Sequence, residues 1–385
     1  MKVTSTIGRS VEIPLRMFGI WPGSPYVSLC RLFWTIALVT AQYFQYQYII
    51  THIYIADLSD LMDGLSATLA FTLLFIKLVT FWINQRTFNK ILAMMAIDWK
   101  KNSGIDFNMI ISNATLSHNF SNFVFSFHSI AVIVYSISVL TVSTSDYEGT
   151  DISMRPLILK MNFPFHSDTQ LIYAIMLIAQ FLYLLLCSIG VSTLNALLIV
   201  LILHLAGQID ILRRWLTEIL FSEENGYKPS AVMIKKIIEK HQNIINFSED
   251  IENLYSRIAL ILFVSDTLII CFVGFVLVTS IGASNSFFTI LKILAFYFVM
   301  NFEAFVYCFA GEYLSSKSKM IGEAAYDSSW YQSTPQDSRI ILFLIMRSQN
   351  QLTITIGKFM DLSLERFANI IKASASYVSV LLAMY

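Results

Sequence analysis

The fold that this sequence predicts is all-α, with seven transmembrane helices, and three observations predict it. Hydrophobic residues make up 56% of the 385 residues and charged residues only 14%, whereas soluble domains contain about 25% charged residues. Seven apolar runs approach the length of about 20 residues that a helix needs to cross a bilayer. The basic residues of the short loops gather on one side of these runs, as they do in multi-pass membrane proteins.

The predicted spans are separated by short polar segments along the whole chain. They occupy residues 32–54, 64–83, 123–142, 170–203, 258–282, 287–313 and 361–385. The residues before the first span carry charges and prolines instead of an early apolar core. We therefore expect a retained first span and not a cleaved signal peptide.

Two amphipathic segments extend the helices beyond the apolar runs. Leu205, Ile209 and Leu212 recur at helical spacing after the fourth span, and a separate amphipathic helix is predicted over 230–256. Such a helix could lie on the bilayer surface. Alternatively, the extensions near 204–257 could bundle below the membrane and form an anchor layer between subunits.

The charges in the loops predict the orientation of the spans. The side that holds the N-terminus collects nearly all Lys and Arg of the short loops, while the opposite side holds Arg155, Lys160 and an acidic first loop. Basic loops stay in the cytoplasm, so we expect a cytoplasmic N-terminus and an extracellular C-terminus. G-protein-coupled receptors have the opposite orientation, and their DRY and NPxxY motifs do not occur in this sequence.

Several other functional classes find little support. The formal net charge of zero does not favour nucleic-acid binding. The four cysteines lie in apolar runs without a CxxC motif, so we expect no disulfide framework, zinc site or other cofactor. No nucleophile elbow, HExxH or P-loop motif occurs, which argues against an enzyme. The composition is also compatible with a transporter, but transporters often contain helices that are broken near the middle of the membrane. All seven prolines of this chain lie outside the predicted spans.

The carboxy-terminal part of the chain carries the most specific motifs. They resemble, in the right order, the sixth-span, loop and seventh-span motifs of insect odorant receptors, and their spelling is most similar to receptors of ants, bees and wasps. The motifs are 307–314 (YCFAGEYL), 345–349 (IMRSQ), 352–359 (LTITIGKF) and 373–377 (ASASY). Asn350 and Gln351 depart from the family pattern of a basic residue followed by proline. That departure leaves the turn before the last helix undetermined.

The resemblance implies an odorant-gated, non-selective cation channel in the plasma membrane of olfactory sensory neuron dendrites. Family members bind small volatile odorants or pheromones and form heterotetramers with a shared co-receptor subunit in the membrane lipid. Residues 1–313 would hold six spans, the odorant pocket and cytoplasmic extensions, and residues 314–385 the rest of the anchor and the pore-lining seventh helix. The alternative is a gustatory receptor-type channel, but its TYxxxxxQF-like motif does not follow Tyr377 here.

The seventh span is too polar to face lipid on all sides. At about 100° per residue, one stripe of this helix combines a small or polar inner part with an apolar outer end. We expect the stripe to line the pore, with a dewetting gate at Val380 and Met384, where the resemblance also places a gate. Packing against neighbouring spans is the alternative for both side chains, and Lys372, off the stripe, is expected at a subunit boundary. The predicted pore residues are Asn369, Ala373, Ser376, Tyr377, Val380 and Met384.

A volatile ligand needs a mostly apolar and aromatic pocket with one or two polar groups. The outer thirds of the second, third, fourth and sixth spans offer such side chains, although aromatic residues at helical spacing can equally form the core of a bundle. The predicted ligand-binding residues are Phe71, Thr72, Phe75, Tyr135, Val139, Tyr173, Met176, Leu177, Gln180, Phe288 and Leu291.

Charged residues in or near the spans are further candidates for function. They are Asp266, Lys292, Glu303 and Glu312. Pairing between helices, or capping of a helix end, is the alternative for each of them.

Overall fold

Ten α-helices and one short hairpin form the fold of the described residues. The computed structural model describes residues 6–55, 57–101, 104–145, 155–164, 169–224, 231–282, 287–328, 330–332 and 334–384. The helices are α1 (Arg9–Met17), α2 (Val27–His52), α3 (Leu58–Ile83), α4 (Gln85–Lys101), α5 (Ile105–Ser145), α6 (Gln170–Glu224), α7 (Ala231–Gly282), α8 (Phe287–Tyr326), α9 (Pro335–Ser348) and α10 (Leu364–Met384). A 3₁₀ turn (Trp330–Gln332) precedes α9, and strands β1 (Thr355–Ile356) and β2 (Met360–Asp361) precede α10.

Seven of these helices are long and apolar enough to cross a membrane, namely α2, α3, α5, α6, α7, α8 and α10. The predicted all-α, seven-span fold is therefore confirmed. Six of the seven helices are longer than predicted, and α10 is the exception: α5 begins at Ile105 instead of near 123, and α8 continues to Tyr326. The predicted separation of 230–256 from 258–282 is wrong, because both segments belong to α7. Hydropathy marks the part of a helix that crosses lipid and misses its polar extensions.

The extended helix ends pack against one another beyond the spans. We call α4, α9 and residues 105–122, 204–224, 231–257 and 314–326 the extension layer. At 1.5 Å per residue, the 55 residues of α6 reach about 80 Å, far more than the roughly 30 Å of a bilayer's hydrocarbon core. Residues 192–209 of α6 are all buried, and α5, α7 and α8 pack around this helix.

Interhelical ion pairs join the helices of the extension layer. They link Asp210 to Lys317 (2.8 Å), Asp106 to Arg214 (2.7 Å) and Asp250 to Lys90 (2.8 Å). Burial alone would raise the pKa of Asp98, but hydrogen bonds and charge from His204 and Lys240 hold that pKa below its usual value. Two alternatives were predicted for the extensions near 204–257, a helix on the bilayer surface or a bundle of helix ends. The structure shows the bundle. Its cytoplasmic location and its role between subunits stay predictions.

The hairpin and its flanking turns hold α10 against the bundle. Gly357 adopts a positive φ of 60° in the hairpin turn, and its amide donates to the carbonyl of Ser256 on α7 over 3.0 Å. Leu362 lies two residues before the start of α10. A Cβ on Gly311 of α8 would collide with the carbonyl oxygen of Leu362. Because Met360 and Asp361 pair in the hairpin, the helix begins three residues later than the predicted span.

The turn that follows α9 is well formed in spite of its departure from the family pattern. The Gln351 side-chain oxygen accepts from the Ser315 hydroxyl over 2.5 Å. The next amide, that of Leu352, donates to the Ser318 hydroxyl over 2.9 Å. Both contacts fasten the turn to α8 without a proline.

Candidate ligand cavity and pore helix

A cavity lies between α3, α5, α6 and α8 and contains about 760 Å³ of space free of atoms, its opening included. Each helix presents positions three or four residues apart, so one face of each helix lines the space. The lining is largely apolar and consists of Ala67, Ala70, Phe71, Leu74, His128, Ala131, Val132, Tyr135, Leu159, Leu184, Cys187, Ser188, Val191, Ala295, Phe296, Val299, Met300 and Glu303.

The floor of the cavity, on the side of the extension layer, is polar. His128 and Glu303 both line it, and Glu303 forms an ion pair with Lys77 of α3. The side chains of Lys77 and Glu303 are 0% and 3% exposed, so this pair is buried. The Lys77 ammonium also lies 5.0 Å from the ring centre of Tyr307, a cation–π distance.

A third buried acidic side chain lies close to this ion pair. Asp266 of α7 is fully buried and within electrostatic range of Glu303 and Lys77. Neither of its carboxyl oxygens has a hydrogen-bond partner among the described residues. Lys77, Glu303 and Asp266 therefore bring α3, α8 and α7 close together beneath the cavity, with the ion pair formed by the first two.

The ceiling of the cavity is a non-helical segment, residues 155–164. Its Leu159 lines the cavity and is held by two hydrogen bonds with the Gln180 side chain, one from the Leu159 amide (3.1 Å) and one to its carbonyl (3.2 Å). The Tyr173 hydroxyl donates to the carbonyl of Pro156 over 2.9 Å. This segment therefore closes the end of the bundle that is opposite the extension layer.

A polar vestibule of about 1800 Å³, open to solvent, lies beyond the ceiling. Lys292 of α8 pairs there with Asp63 (2.8 Å), and Lys160 pairs with Asp60 (2.8 Å). The vestibule shares Ala67, Tyr135 and Leu159 with the cavity. The Lys292 ammonium lies 5.3 Å from the ring centre of Tyr135, so Tyr135 stands at the boundary between the two spaces.

The predicted ligand-binding residues do not all meet in one place. Phe71 and Tyr135 line the cavity. Val139 lines the vestibule, and Met176 and Gln180 line a groove between α2 and α6. The others lie outside the cavity lining, namely Thr72, Phe75, Tyr173, Leu177, Phe288 and Leu291.

The physical reason for this difference is the ceiling segment. It occupies the outer end of the bundle, where Tyr173 and Gln180 hold it by hydrogen bonds. The cavity consequently lies deeper, beside 184–191 of α6 and 295–303 of α8. Thr72 points to α2, where its hydroxyl bonds with the Tyr46 hydroxyl over 3.1 Å.

His128 is not among the predicted ligand-binding residues, and Glu303 is predicted only as a charged residue in a span. A histidine inside a long apolar run is the signal that could have identified His128, because ionisable residues in spans usually face the interior of a bundle. Four of the lining residues are alanines, namely Ala67, Ala70, Ala131 and Ala295. Small residues in a span carry no sign of whether they face a cavity or a packed helix.

Helix α10 packs one face against α7 and α8 and leaves the other uncovered in the single chain. Ile370 and Ser374 are buried, and the Ser374 hydroxyl donates to the carbonyl of Thr267 over 3.1 Å. Of the predicted pore residues, Asn369 and Ala373 are half-buried, and Ser376, Tyr377, Val380 and Met384 are exposed. Lys372 is also exposed.

The beginning of α10 is capped by a residue that the sequence marked as a charge near a span. The Glu312 carboxylate of α8 accepts from the Leu364 amide over 3.4 Å. An acidic group is favourable at a helix N-terminus. For Glu312, the structure thus shows the capping alternative.

Comparison with known proteins identifies the family. The sequence model described as "7tm Odorant receptor" matches residues 57–375, which is more than half of the chain. The chain belongs to the seven-transmembrane odorant receptor family. The predicted resemblance is thereby confirmed, and so is the expectation of a receptor instead of an enzyme.

Individual relatives agree with this assignment. Odorant receptor 13a of Drosophila melanogaster is 27% identical over 350 residues, which cover 86% of this chain and 82% of that protein. Odorant receptor 10 of Aedes albopictus is also 27% identical, but the match covers 43% of this chain and 42% of that protein. Both are insect odorant receptors, so this chain is a multi-pass receptor of the olfactory family.

Solved structures show the same fold. The insect olfactory receptor OR5 from Machilis hrabei, in complex with eugenol, superposes with a TM-score of 0.80 at 16% identity, and the match covers 97% of both chains. A second structure of OR5 gives a TM-score of 0.74 at 17% identity. At such low identity, the likeness establishes the helical architecture of this odorant receptor and nothing about its ligand.

Proposed function

We propose that this odorant receptor is the ligand-binding subunit of an odorant-gated cation channel, which works with a co-receptor subunit in the plasma membrane of sensory dendrites. The observation that supports it most is the cavity between α3, α5, α6 and α8, because an apolar space with few polar groups suits a small volatile molecule. In this proposal the extension layer is cytoplasmic and the vestibule is extracellular.

The exposed face of α10 supports an assignment as pore helix. Lys372, Ser376 and Ser379 are exposed in the single chain, and a charge at the centre of a lipid-facing helix costs about 2.5–3.5 kcal/mol or more. This face is therefore better suited to other subunits and to water than to lipid. Towards the end of the helix, Val380 and Met384 are 57% and 80% exposed. Apolar side chains in a narrow ring can close a pore by dewetting.

Direct contacts connect the cavity to α10. Helix α8 lines the cavity with Met300 and Glu303 and caps α10 with Glu312. Helix α7 contributes Asp266 near the cavity floor and, at the next residue, the Thr267 carbonyl that accepts from Ser374 of α10. A ligand that shifts α8 or its partner α7 consequently moves the residues that position the proposed pore helix.

The test is to express the full chain with and without a co-receptor and to record currents during odorant application. We expect odorant-evoked currents with the co-receptor. We expect Val380→Ser and Met384→Ser to raise the current without ligand, because a polar ring wets more easily. Leu382→Ser is the matched control, since Leu382 lies on the same helix but off the stripe. Currents that need second messengers and ignore both pore substitutions would refute the channel proposal.

A further inference from the structure

His128 stands out among the polar groups of the cavity lining. Its side chain is 2% exposed, and its Nε2 atom has no hydrogen-bond partner among the described residues. No other lining residue has a fully buried side-chain polar atom that lacks a hydrogen-bond partner among the described residues. Buried polar atoms without a partner are rare in folded proteins and call for an explanation.

The neighbouring polar groups of the floor do not satisfy His128. Glu303, the other strongly polar lining residue at the floor, is already paired with Lys77. The rings next to the imidazole are Phe127, with ring centres 5.8 Å apart, and Phe302, at 6.1 Å. His128 thus lines an apolar cavity, and its buried Nε2 atom has capacity for one hydrogen bond.

This arrangement defines the chemistry of the missing partner. In a neutral imidazole, one nitrogen donates and the other accepts. The oxygen of a hydroxyl group can donate and accept, so it can bond with Nε2 in either tautomer. The rest of the partner must be apolar, because most of the remaining lining offers hydrocarbon and aromatic surface.

Resting on the proposed function, we propose that His128 makes the receptor selective for apolar molecules that carry one hydroxyl group, alcohols or phenols, through a hydrogen bond to its Nε2 atom. A hydrocarbon of the same shape leaves that nitrogen without a partner. Leaving a buried polar group unsatisfied costs about 1–3 kcal/mol, which corresponds to roughly five-fold to 100-fold or more in potency.

Matched pairs of compounds test this selectivity. In each pair a methyl group replaces the hydroxyl group: 2-phenylethanol with propylbenzene, and 1-octanol with nonane. The measured quantity is the ratio of half-maximal concentrations within each pair, recorded from the full chain with its co-receptor. The change of this ratio between the wild type and a variant cancels the different solubilities of the two compounds.

Three variants at two histidines separate the hydrogen bond from effects on folding. We expect His128→Phe to lower the preference for the alcohol about five-fold or more. We expect His128→Gln, which keeps a polar group there, to retain most of the preference. His118→Phe is the control and should leave the ratio unchanged. His118 lies on the same helix α5 and also has a buried Nε2 atom without a described partner, but it packs beside Gly8, away from the cavity.

The outcomes separate this inference from the proposed function. A ratio that stays the same in His128→Phe, or hydrocarbons that activate while none of the alcohols does, would overturn the selectivity role and leave the channel proposal intact. A surface-expressed receptor that is silent to every compound, alcohol or hydrocarbon, would count against the proposed function and, with it, this inference.

Discussion

Replacing Lys77 by methionine probes the buried charges beneath the cavity. The substitution keeps the length of the side chain and removes its charge, so Glu303 stays buried at 3% exposure without its counter-charge. Removal of one partner from a buried ion pair typically costs about 3–5 kcal/mol. At 1.4 kcal/mol per factor of ten, the ratio of folded to unfolded protein falls by roughly two to three and a half orders of magnitude. The whole free energy of unfolding of a protein is only about 5–15 kcal/mol.

Buried thiols offer an intrinsic assay for this loss. Cys187, Cys271 and Cys308 are free and buried, so a thiol-reactive fluorophore labels them when the detergent-solubilised full chain unfolds on heating. We expect Lys77→Met to lower the unfolding temperature strongly. The double variant Lys77→Met/Glu303→Gln should recover a large part of the loss, because neither remaining group of the pair is charged.

Asp266 provides the comparison that could refute this reasoning. Its carboxyl oxygens have no hydrogen-bond partner among the described residues, and Lys77 is paired with Glu303. Asp266→Asn should therefore cost far less than Lys77→Met. If Asp266→Asn destabilises the receptor more than Lys77→Met, or if Lys77→Met unfolds at the temperature of the wild type, the assignment of Lys77 and Glu303 as the stabilising pair is wrong.

Two further predictions concern α10 and the contact of α8 with the segment that precedes α10. Gly311→Ala should lower the unfolding temperature by the equivalent of about 1–3 kcal/mol, because the new Cβ collides with the backbone of Leu362. Gly64→Ala is the matched control, since its Cβ meets its nearest neighbour at 3.5 Å. Equal effects of the two substitutions would contradict the close approach of Gly311 to Leu362. Lys372→Gln should leave the relative permeability to monovalent cations within about two-fold, since a residue at a subunit boundary lies outside the ion path; reversal-potential shifts that report a several-fold change would place Lys372 in the pore.

The architecture could be predicted from the sequence because it depends on local patterns. Apolar runs of sufficient length predicted the seven spans. The recurrence of Leu205, Ile209 and Leu212 at helical spacing predicted the extension of α6, and the structure buries these three side chains. Helix ends were less predictable. The start of α10 depends on the pairing of Met360 and Asp361 in the hairpin, a contact that hydropathy does not encode.

The cavity could be predicted only in part, because its depth depends on contacts between distant segments. The sequence shows a polar loop before the fourth span, but not that Gln180 binds both backbone groups of Leu159. Likewise, Lys77 and Glu303 are 226 residues apart in the chain, so no local pattern pairs them. Residues chosen by their nearness to the ends of the spans therefore included Phe71 and Tyr135 but missed His128.

The non-helical ceiling has a consequence for how receptors of this kind diversify. Gln180 holds Leu159 through its backbone amide and carbonyl, which every residue type except proline offers. The side chain at 159 can therefore change during evolution while its attachment persists, and the helices need not repack. A gene duplicate acquires a different cavity lining by substitution at this one position, with α7, α8 and α10 inherited unchanged.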